Sequence, residues 1–311
     1  TAATIGVFDG VHLGHQALIT QTVEMARASE TVAVAITFAN HPLSVLAPPY
    51  MPRMLVTSAR KAALLFEAGM DEVLMLDFTR EFAKTPPEEF IQQNLVRLAR
   101  VQDLVCGYDF TFGSRGSGTI DLLSSQGAAN GFSVTSVDPV SLSGQIVKST
   151  HIRDLLTSGK VTAAANLLTR PHEVPGVVVS GYQRGRTIGF PTANLQPPEH
   201  YQWPGIGVYV CAARVDQADE LWPAMVNVGK NPTFGNDDPT IEAHLLDFDR
   251  DINGSPLTLY FLERLRDEQK FAGVDDLVNQ LREDRRQTIE TWGRADILEL
   301  VMKIPPPLIQ I

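Results

Sequence analysis

From the first residue to about residue 170, short β-branched or apolar runs alternate with longer segments whose apolar positions recur every three to four residues. Strands buried on both faces read as near-continuous Val, Ile and Leu runs, whereas amphipathic helices space their apolar residues by the helical period. The pattern predicts strands over 4–8, 32–38, 72–76, 104–106 and 133–137, with helices over 16–28, 58–68, 87–99 and 120–130 between them. Ser58 and Thr119 stand where helix N-caps belong. Strands alternating with helices favour a parallel, right-handed, doubly wound α/β sheet. Ligands of such sheets bind beyond the carboxyl ends of the strands.

After Arg170-Pro171 the pattern changes. Strand-like runs over 173–180, 207–215, 222–228, 240–246 and 257–265 are separated by Gly, Pro, Asn and Asp turns, with no helical segment among them. This predicts a small antiparallel β-barrel or sandwich, closed by one long amphipathic helix over 275–292. The fold class is therefore α/β plus β, with one domain over 1–170, a second over 171–292, and a tail of unassigned role over 293–311. In that tail Ile297, Leu298, Val301 and Ile304 have helical spacing, which suits a docked helix or a subunit contact, and three consecutive prolines follow.

Length agrees with two domains: the chain has 311 residues, and roughly 150 residues per domain is usual. Apolar residues at 44% and charged residues at 20% are ordinary globular usage and exclude a disordered or collagen-like chain. The net charge of -10 repels phosphate backbones and argues against a nucleic-acid partner. The first 170 residues carry 13 basic and 15 acidic side chains and the remainder 13 and 21, so the acidity belongs mostly to the second half. No apolar run approaches the roughly 20 residues that span a bilayer, and the start lacks the pattern of a signal peptide. A cytoplasmic protein with no membrane partner is expected. The chain opens at Thr1 in what already looks like a strand, which suggests that a short native segment precedes it. Cys106 and Cys211 sit among apolar residues and are expected as buried thiols rather than a disulfide. A homo-oligomer is compatible with the sequence.

The first candidate site follows the first strand. Asp9-Gly10-Val11-His12-Leu13-Gly14-His15 leads into a helix. Glycines let the backbone approach an anion, a helix N-terminus presents N–H groups, and two imidazoles three residues apart add donors. Such a turn suits transfer at phosphorus, where positioning and charge neutralisation do most of the work. A Walker A loop and a dinucleotide fingerprint are both missing, and a zinc site would need a third ligand nearby. Two histidines that merely cap a helix remain the plain alternative.

Residues 6–15 resemble the opening signature of the prokaryotic bifunctional riboflavin kinase/FAD synthetases, whose first domain is a Rossmann-like HxGH nucleotidyltransferase. Gly107-Tyr108-Asp109-Phe110-Thr111-Phe112-Gly113 resembles the family's G-x-[DN]-F-x-F-G segment, and residues 146–153 resemble its I-S-S-T-x-I-R segment. Order and spacing match over nearly the whole chain. The resemblance implies transfer of AMP from ATP to FMN, giving FAD and pyrophosphate. It implies that His12 and His15 act on the ATP phosphates, within a nucleotide site of Gly6, Phe8, Asp9, Gly10 and Gly14. Asp109 would lie near the nucleotide and metal, and Ser149, Thr150 and Arg153 would hold the pyrophosphate. Two positions depart from the pattern. Ala39-Asn40 replaces the usual Asp-Pro, so the aspartate's contribution must be dispensable or come from Asn40. Lys148 replaces the first serine of the pair, and as a cation it can still face pyrophosphate.

The second half carries Gly181-Tyr182-Gln183-Arg184-Gly185-Arg186-Thr187-Ile188-Gly189-Phe190-Pro191-Thr192-Ala193-Asn194. Glycines and arginines on a loop suit phosphates. Thr192 and Asn194, two residues apart, place two neutral oxygens on one side of an extended segment, as a hard Mg²⁺ bound chiefly to ATP oxygens requires. A solvated basic loop is the alternative. The string resembles the riboflavin kinase signature ending in P-T-A-N. Residues 227–234, 240–244 and 264–271 also match that family's positions.

The resemblance implies transfer of the ATP γ-phosphoryl group to the 5′-hydroxyl of riboflavin. Gly181, Arg184, Gly185, Arg186, Thr187, Gly189, Phe190, Pro191 and Asn227 would form the ATP and flavin site, Thr192 and Asn194 would hold the metal, and Glu242 would accept the hydroxyl proton. Alternation places Glu242 and His244 opposite Ile241, Ala243 and Leu245, which permits either exposure or a site. The flavin ring needs an apolar slot between the barrel and the last helix. ATP, riboflavin and FMN are thus the expected small-molecule partners. An enzyme whose kinase half alone works, the first domain being idle or acting on another phosphate, is the second reading. A flavin sensor without turnover is the third.

Overall fold

The computed structural model describes residues 1–181, 184–230 and 239–306. They form two compact units, Thr1–Ser149 and Thr150–Ile311.

The first unit runs β1 (Ala2–Ile5), α1 (Leu13–Ala28), β2 (Ala33–Phe38), α2 (Leu43–Leu46), α3 (Ser58–Glu67), β3 (Glu72–Leu76), α4 (Pro87–Phe90), β4 (Asp103–Gly107), α5 (Ile120–Asn130) and β5 (Ser133–Val137), followed by the short hairpin β6 (Ser141–Leu142) and β7 (Gln145–Ile146). The five longer strands form one parallel sheet in the order β3-β2-β1-β4-β5, as the alternation predicts. Two apolar clusters fill the space around it. Ile5, Ile36, Ile91, Leu95 and Leu104 belong to one, and Phe8, Ile19, Ala35, Leu65 and Val105 to the other.

Several boundaries differ from the expectation for local reasons. β1 ends at Ile5 rather than residue 8, because the chain leaves extended geometry at Gly6 and Phe8 takes φ 52°. α1 begins at Leu13, three residues early, because His12 caps it. The cap of α3 is Thr57 rather than Ser58: its hydroxyl accepts from Arg60 N. Thr119 caps α5 as expected, and Gly131 ends that helix in the left-handed region. The helix expected over 87–99 starts as α4 and winds more widely over Ile91–Leu98. There the Asn94 side chain donates to Phe90 O, the carbonyl its own backbone N–H would use in an α-helix.

The second unit opens with α6 (Ser149–Thr157, its first residue still in the first unit) and α7 (Val161–Leu168), which bridge the unit division and the change of pattern at Arg170. α7 buries Val161, Ala164, Ala165, Leu167 and Leu168, and Thr162 donates to Leu262 O. Then follow β8 (His172–Val179), α8 (Arg184–Thr187), β9 (Ala193–Gln196), β10 (Gly207–Val215), β11 (Trp222–Lys230), β12 (Pro239–Leu245), β13 (Pro256–Arg266), α9 (Val274–Trp292) and α10 (Ala295–Met302). The strands close a six-stranded antiparallel barrel in the order β10-β11-β12-β9-β8-β13. Closure removes the exposed edges that a sandwich would keep. β9 and α8 escape the sequence pattern because each has four residues. The tail does dock: Ile297 and Ile304 pack with Val210, Ala212, Tyr260 and Leu262, and Arg214 Nη1 donates to Pro305 O at 2.9 Å. Residues 307–311 lie outside the described residues. Cys106 and Cys211 are buried free thiols, and burial raises the pKa of both. Among the described residues no helix is long and apolar enough to cross a membrane.

Candidate active sites

In the first unit the sheet order reverses direction between β1 and β4, the place where open α/β sheets bind ligands. A cavity of about 250 Å³ lies there, bordered by His12, His15, Tyr108, Asp109, Lys148 and Ser149 among others. His12 caps α1 at the end of the turn after β1, His15 lies in the first turn of α1, and Tyr108 and Asp109 come from the segment after β4. The turn passes through φ 52° at Phe8, 89° at Gly10 and 42° at Val11 before α1 begins. His12 Nδ1 then accepts from His15 N at 3.4 Å. A ring nitrogen that accepts carries no proton, so a neutral His12 bears it on Nε2, as a donor for an anion. The two imidazoles stack with centroids 3.6 Å apart, and Phe8 meets His15 edge-on at 5.3 Å. Gly14 makes the stack possible, because a Cβ there would lie 3.2 Å from the His12 ring and 3.4 Å from Val147 O.

Gly6, Phe8, Asp9 and Gly10 are not among the residues that border the cavity. Phe8 and Asp9 are buried, and Asp9 Oδ1 accepts from Leu55 N at 2.9 Å. These residues shape the turn. Ser149 Oγ donates to Asp9 O at 2.9 Å, joining the start of α6 to the turn. Thr150 and Arg153 follow on the same helix, Thr150 exposed and Arg153 half-buried. Lys148 Nζ and Asp109 Oδ2 lie 3.8 Å apart, both more than half exposed. The Asn40 amide is taken up by the Phe78 backbone: it donates to Phe78 O at 3.0 Å and accepts from Phe78 N at 2.9 Å. That pairing leaves it a loop fastener rather than a substitute carboxylate.

In the barrel, strand register assembles the second site. Asn194 of β9 stands opposite Glu242 of β12, Glu242 opposite Asn227 of β11, and Asn227 opposite Val208 of β10. Paired residues of antiparallel strands share a face, so these four side chains form one row. The next row holds Val210, Met225 and His244. A cavity of about 340 Å³ is bordered by Val208, Asn227, Glu242, Met225 and His244 of these rows but not by Asn194 or Val210, and its far wall is Leu277, Leu281 and Asp284 of α9. It lies between the barrel and α9, where the apolar slot for a flavin ring is expected. Arg266, also at its edge, is held by Asp284 through Nε–Oδ1 at 2.9 Å and Nη2–Oδ2 at 2.6 Å.

Burial raises the pKa of Glu242 above its ordinary value. Burial lowers that of His244, against its hydrogen bond to Pro191 O at 2.8 Å, in which Nδ1 is the donor. Thr192 also borders a second cavity, of about 450 Å³, together with Gly181, Arg186, Pro191, Phe248 and Arg250. A Cβ at Gly181 would take the space of the Asn194 amide, so a larger residue there would have to displace that side chain. Gly185 and Phe190 border the cavity of about 340 Å³, and Phe190 N donates to Gly185 O at 2.8 Å. Thr187 and Gly189 are exposed on the same loop. Tyr182, Gln183, the Arg184 side chain and residues 231–234 lie outside the described residues.

Sequence reasoning missed Lys61 and Asp284, whereas Arg266 falls within the matched stretch 264–271. Lys61 lies in a segment, Ser58-Ala59-Arg60-Lys61, that reads as solvent-facing, yet it is 4% exposed.

Comparison with known proteins covers both units. The family described as FAD synthetase matches residues 1–151, and the family described as riboflavin kinase matches residues 168–292. A bifunctional riboflavin kinase/FMN adenylyltransferase of Listeria monocytogenes is 37% identical over 94% of this chain and 92% of its own length. The protein of that name from Escherichia coli K12 is 35% identical over 93% and 92%. A crystal structure described as a macrolide-efflux protein from Streptococcus pneumoniae superposes with a TM-score of 0.83 at 35% identity, covering 93% of each chain. Both units and the order of their motifs agree with these matches, and the chain belongs to the family of bifunctional riboflavin kinase/FMN adenylyltransferases.

Proposed function

We propose that the barrel phosphorylates riboflavin at the Asn194–Glu242–Asn227 row and that the first unit adenylylates FMN at the His12–His15 turn. The chain is an enzyme of flavin cofactor synthesis with both activities, as its two families and its relatives' names agree. The reading in which only the kinase half works is not favoured, because the FAD synthetase match spans the first unit.

In the barrel, the observation that carries the assignment is Thr192 standing between two cavities. Riboflavin takes the slot under α9, where Met225, Leu277 and Leu281 supply an apolar wall and Glu242 reaches the ribityl end. ATP takes the neighbouring cavity beside Arg186. Glu242 accepts the proton of the 5′-hydroxyl as that oxygen attacks the γ-phosphorus, the bond to the β-phosphate bridging oxygen breaks, and ADP leaves. Enzymes of both kinds use ATP with a divalent cation, and Mg²⁺ is the cation proposed. Thr192 and Asn194 fit it, since neutral oxygens complement a hard ion whose charge is met mainly by phosphates, and such a cation neutralises charge on those phosphates. Among the described residues no group of three or more His, Cys, Asp or Glu could hold a metal unaided.

In the first unit, an FMN phosphate oxygen attacks the α-phosphorus of ATP, the α–β bridging bond breaks, and pyrophosphate leaves. His12 and His15 donate to the phosphate oxygens and stabilise the charge that builds there. Ser149, Thr150 and Arg153 take the pyrophosphate, and Asp109 and Lys148 border the same cavity. A chromatographic time course of riboflavin, FMN and FAD, started with riboflavin, ATP and Mg²⁺, tests the whole scheme. FMN should rise and then give way to FAD. FMN that accumulates, with no FAD even when FMN is supplied, would remove the second half.

A further inference from the structure

Lys61 of α3 is buried, and its Nζ donates to Phe38 O at 2.6 Å and to Val7 O at 3.1 Å. Phe38 is the last residue of β2, and Val7 lies two residues past the end of β1. One ammonium therefore joins the carboxyl ends of two adjacent parallel strands on the side of the sheet where the histidine turn begins. The Thr37 hydroxyl donates to the same Val7 carbonyl at 3.2 Å. Asp9, 2% exposed, is the charged group that acts on Lys61, and its backbone oxygen is held by Ser149. Between Val7 and His12 come the positive-φ residues Phe8, Gly10 and Val11. Such backbone persists only where its surroundings over-determine it.

We propose that Lys61 is a positioning residue for adenylyl transfer: its ammonium, between Val7 O and Phe38 O and facing Asp9, fixes the turn that aims His12 and His15. The proposal rests on the assignment of adenylyl transfer to that turn. Nothing in it requires Lys61 to touch a substrate.

A buried ammonium loses its proton easily. Burial brings Lys61 down to about 8, with Asp9 acting in the opposite direction. The groups facing it are the two carbonyls, from the turn and from β2, and the Asp9 carboxylate. Below that pH the ammonium balances Asp9 and grips Val7. Above it, the neutral amine no longer offsets Asp9 and holds Val7 O more weakly, and the turn loosens. FAD formation should then fall as pH rises through about 8, while riboflavin phosphorylation, in the other unit, should not share that fall. Ordinary imidazoles titrate near 6.5 and phosphate monoesters near roughly 6, so the window from about pH 7 to 9.5 is clear of both.

The test measures FAD formation from FMN and FMN formation from riboflavin, in the full chain with saturating ATP and Mg²⁺, for the wild type, Lys61→Met and Asp9→Asn. The wild type should lose FAD formation alone on the alkaline side. Lys61→Met should lower kcat for FAD roughly tenfold to a hundredfold at pH 7 with little change in KM, and its alkaline profile should be flat. Asp9→Asn should move the fall to lower pH, because the carboxylate that raises Lys61 is gone. A flat wild-type profile, or a Lys61→Met enzyme with the wild-type rate and limb, overturns the proposal. If Lys61→Met loses both activities through misfolding, the Asp9→Asn profile decides: an unmoved limb overturns it. FAD made by the His12→Ala/His15→Ala enzyme would instead sink the assignment of the turn.

Discussion

Glu242 stands directly opposite Asn194 in the β9–β12 ladder, so the proposed base and one proposed metal ligand of the kinase half are set by strand register. A slip of one residue would turn both side chains to the other face. Asn227 continues the row on β11. Three neighbouring strands thus hold the proposed reacting end at fixed spacing, and Gly185 and Phe190 border the same cavity.

Glu242→Gln should lower FMN formation by about 10²–10⁴ while leaving FAD formation from supplied FMN intact. A base must be deprotonated to act, so the wild-type kinase rate should fall as pH drops through the Glu242 pKa. Burial raises that pKa, and the acid limb should therefore lie above the ordinary carboxylate range. Initial rates across pH, for wild type and variant, check both points; an acid limb at the usual carboxylate value would contradict the burial argument.

His12→Ala combined with His15→Ala should remove FAD formation and spare FMN formation. The rings stack on each other and one caps α1, so part of the effect is structural, since losing a cap costs about 1 kcal/mol. A melt of the variant separates the two contributions: loss of FAD formation well below its unfolding temperature belongs to the chemistry.

The histidine turn, the Thr192–Asn194 spacing and the strand bearing Glu242 were all legible in sequence because each depends on residues close together in the chain. What was not legible depends on packing between distant segments. Lys61 reads as a surface lysine until β2 and the turn after β1 are brought to it. The slot under α9 aligns Val208, Asn227 and Glu242 through the register of three consecutive strands, which alternation along one strand does not reveal. β9 was missed because, of its four residues, only Leu195 is buried, too little for an alternation to show. β1 was placed late because residues 6–8 are apolar, and the pattern cannot distinguish a strand from a buried strained turn.

Lys148→Ser should leave thermal stability unchanged, since an exposed ion pair with Asp109 at 3.8 Å contributes about 0–1 kcal/mol. Its effect should fall on ATP instead. A cation hydrogen-bonded to phosphate is worth about 1–2 kcal/mol, so KM for ATP in FAD formation should rise roughly 5–30-fold, and less in high salt. An unchanged KM at low ionic strength would remove Lys148 from the phosphate site.

Asp284 is the residue whose loss should couple stability to flavin binding. Its side chain is 1% exposed, that of Arg266 16%, and the two make a bidentate pair to which Gln280 adds a hydrogen bond at 2.9 Å. Removing the carboxylate leaves a largely buried guanidinium without its counter-charge, which costs about 3–5 kcal/mol. The same pair fastens α9 to the end of β13 at the edge of the slot, so the helix that walls the proposed flavin slot should loosen with it. Asp284→Ala should therefore lower the unfolding temperature of the barrel and raise KM for riboflavin more than it lowers kcat. FAD formation from supplied FMN, measured below that temperature, should persist, because the pair lies in the other unit. Calorimetry with parallel assays of the two activities checks this, and an unchanged unfolding temperature would show that water or Gln280 can replace the carboxylate at little cost.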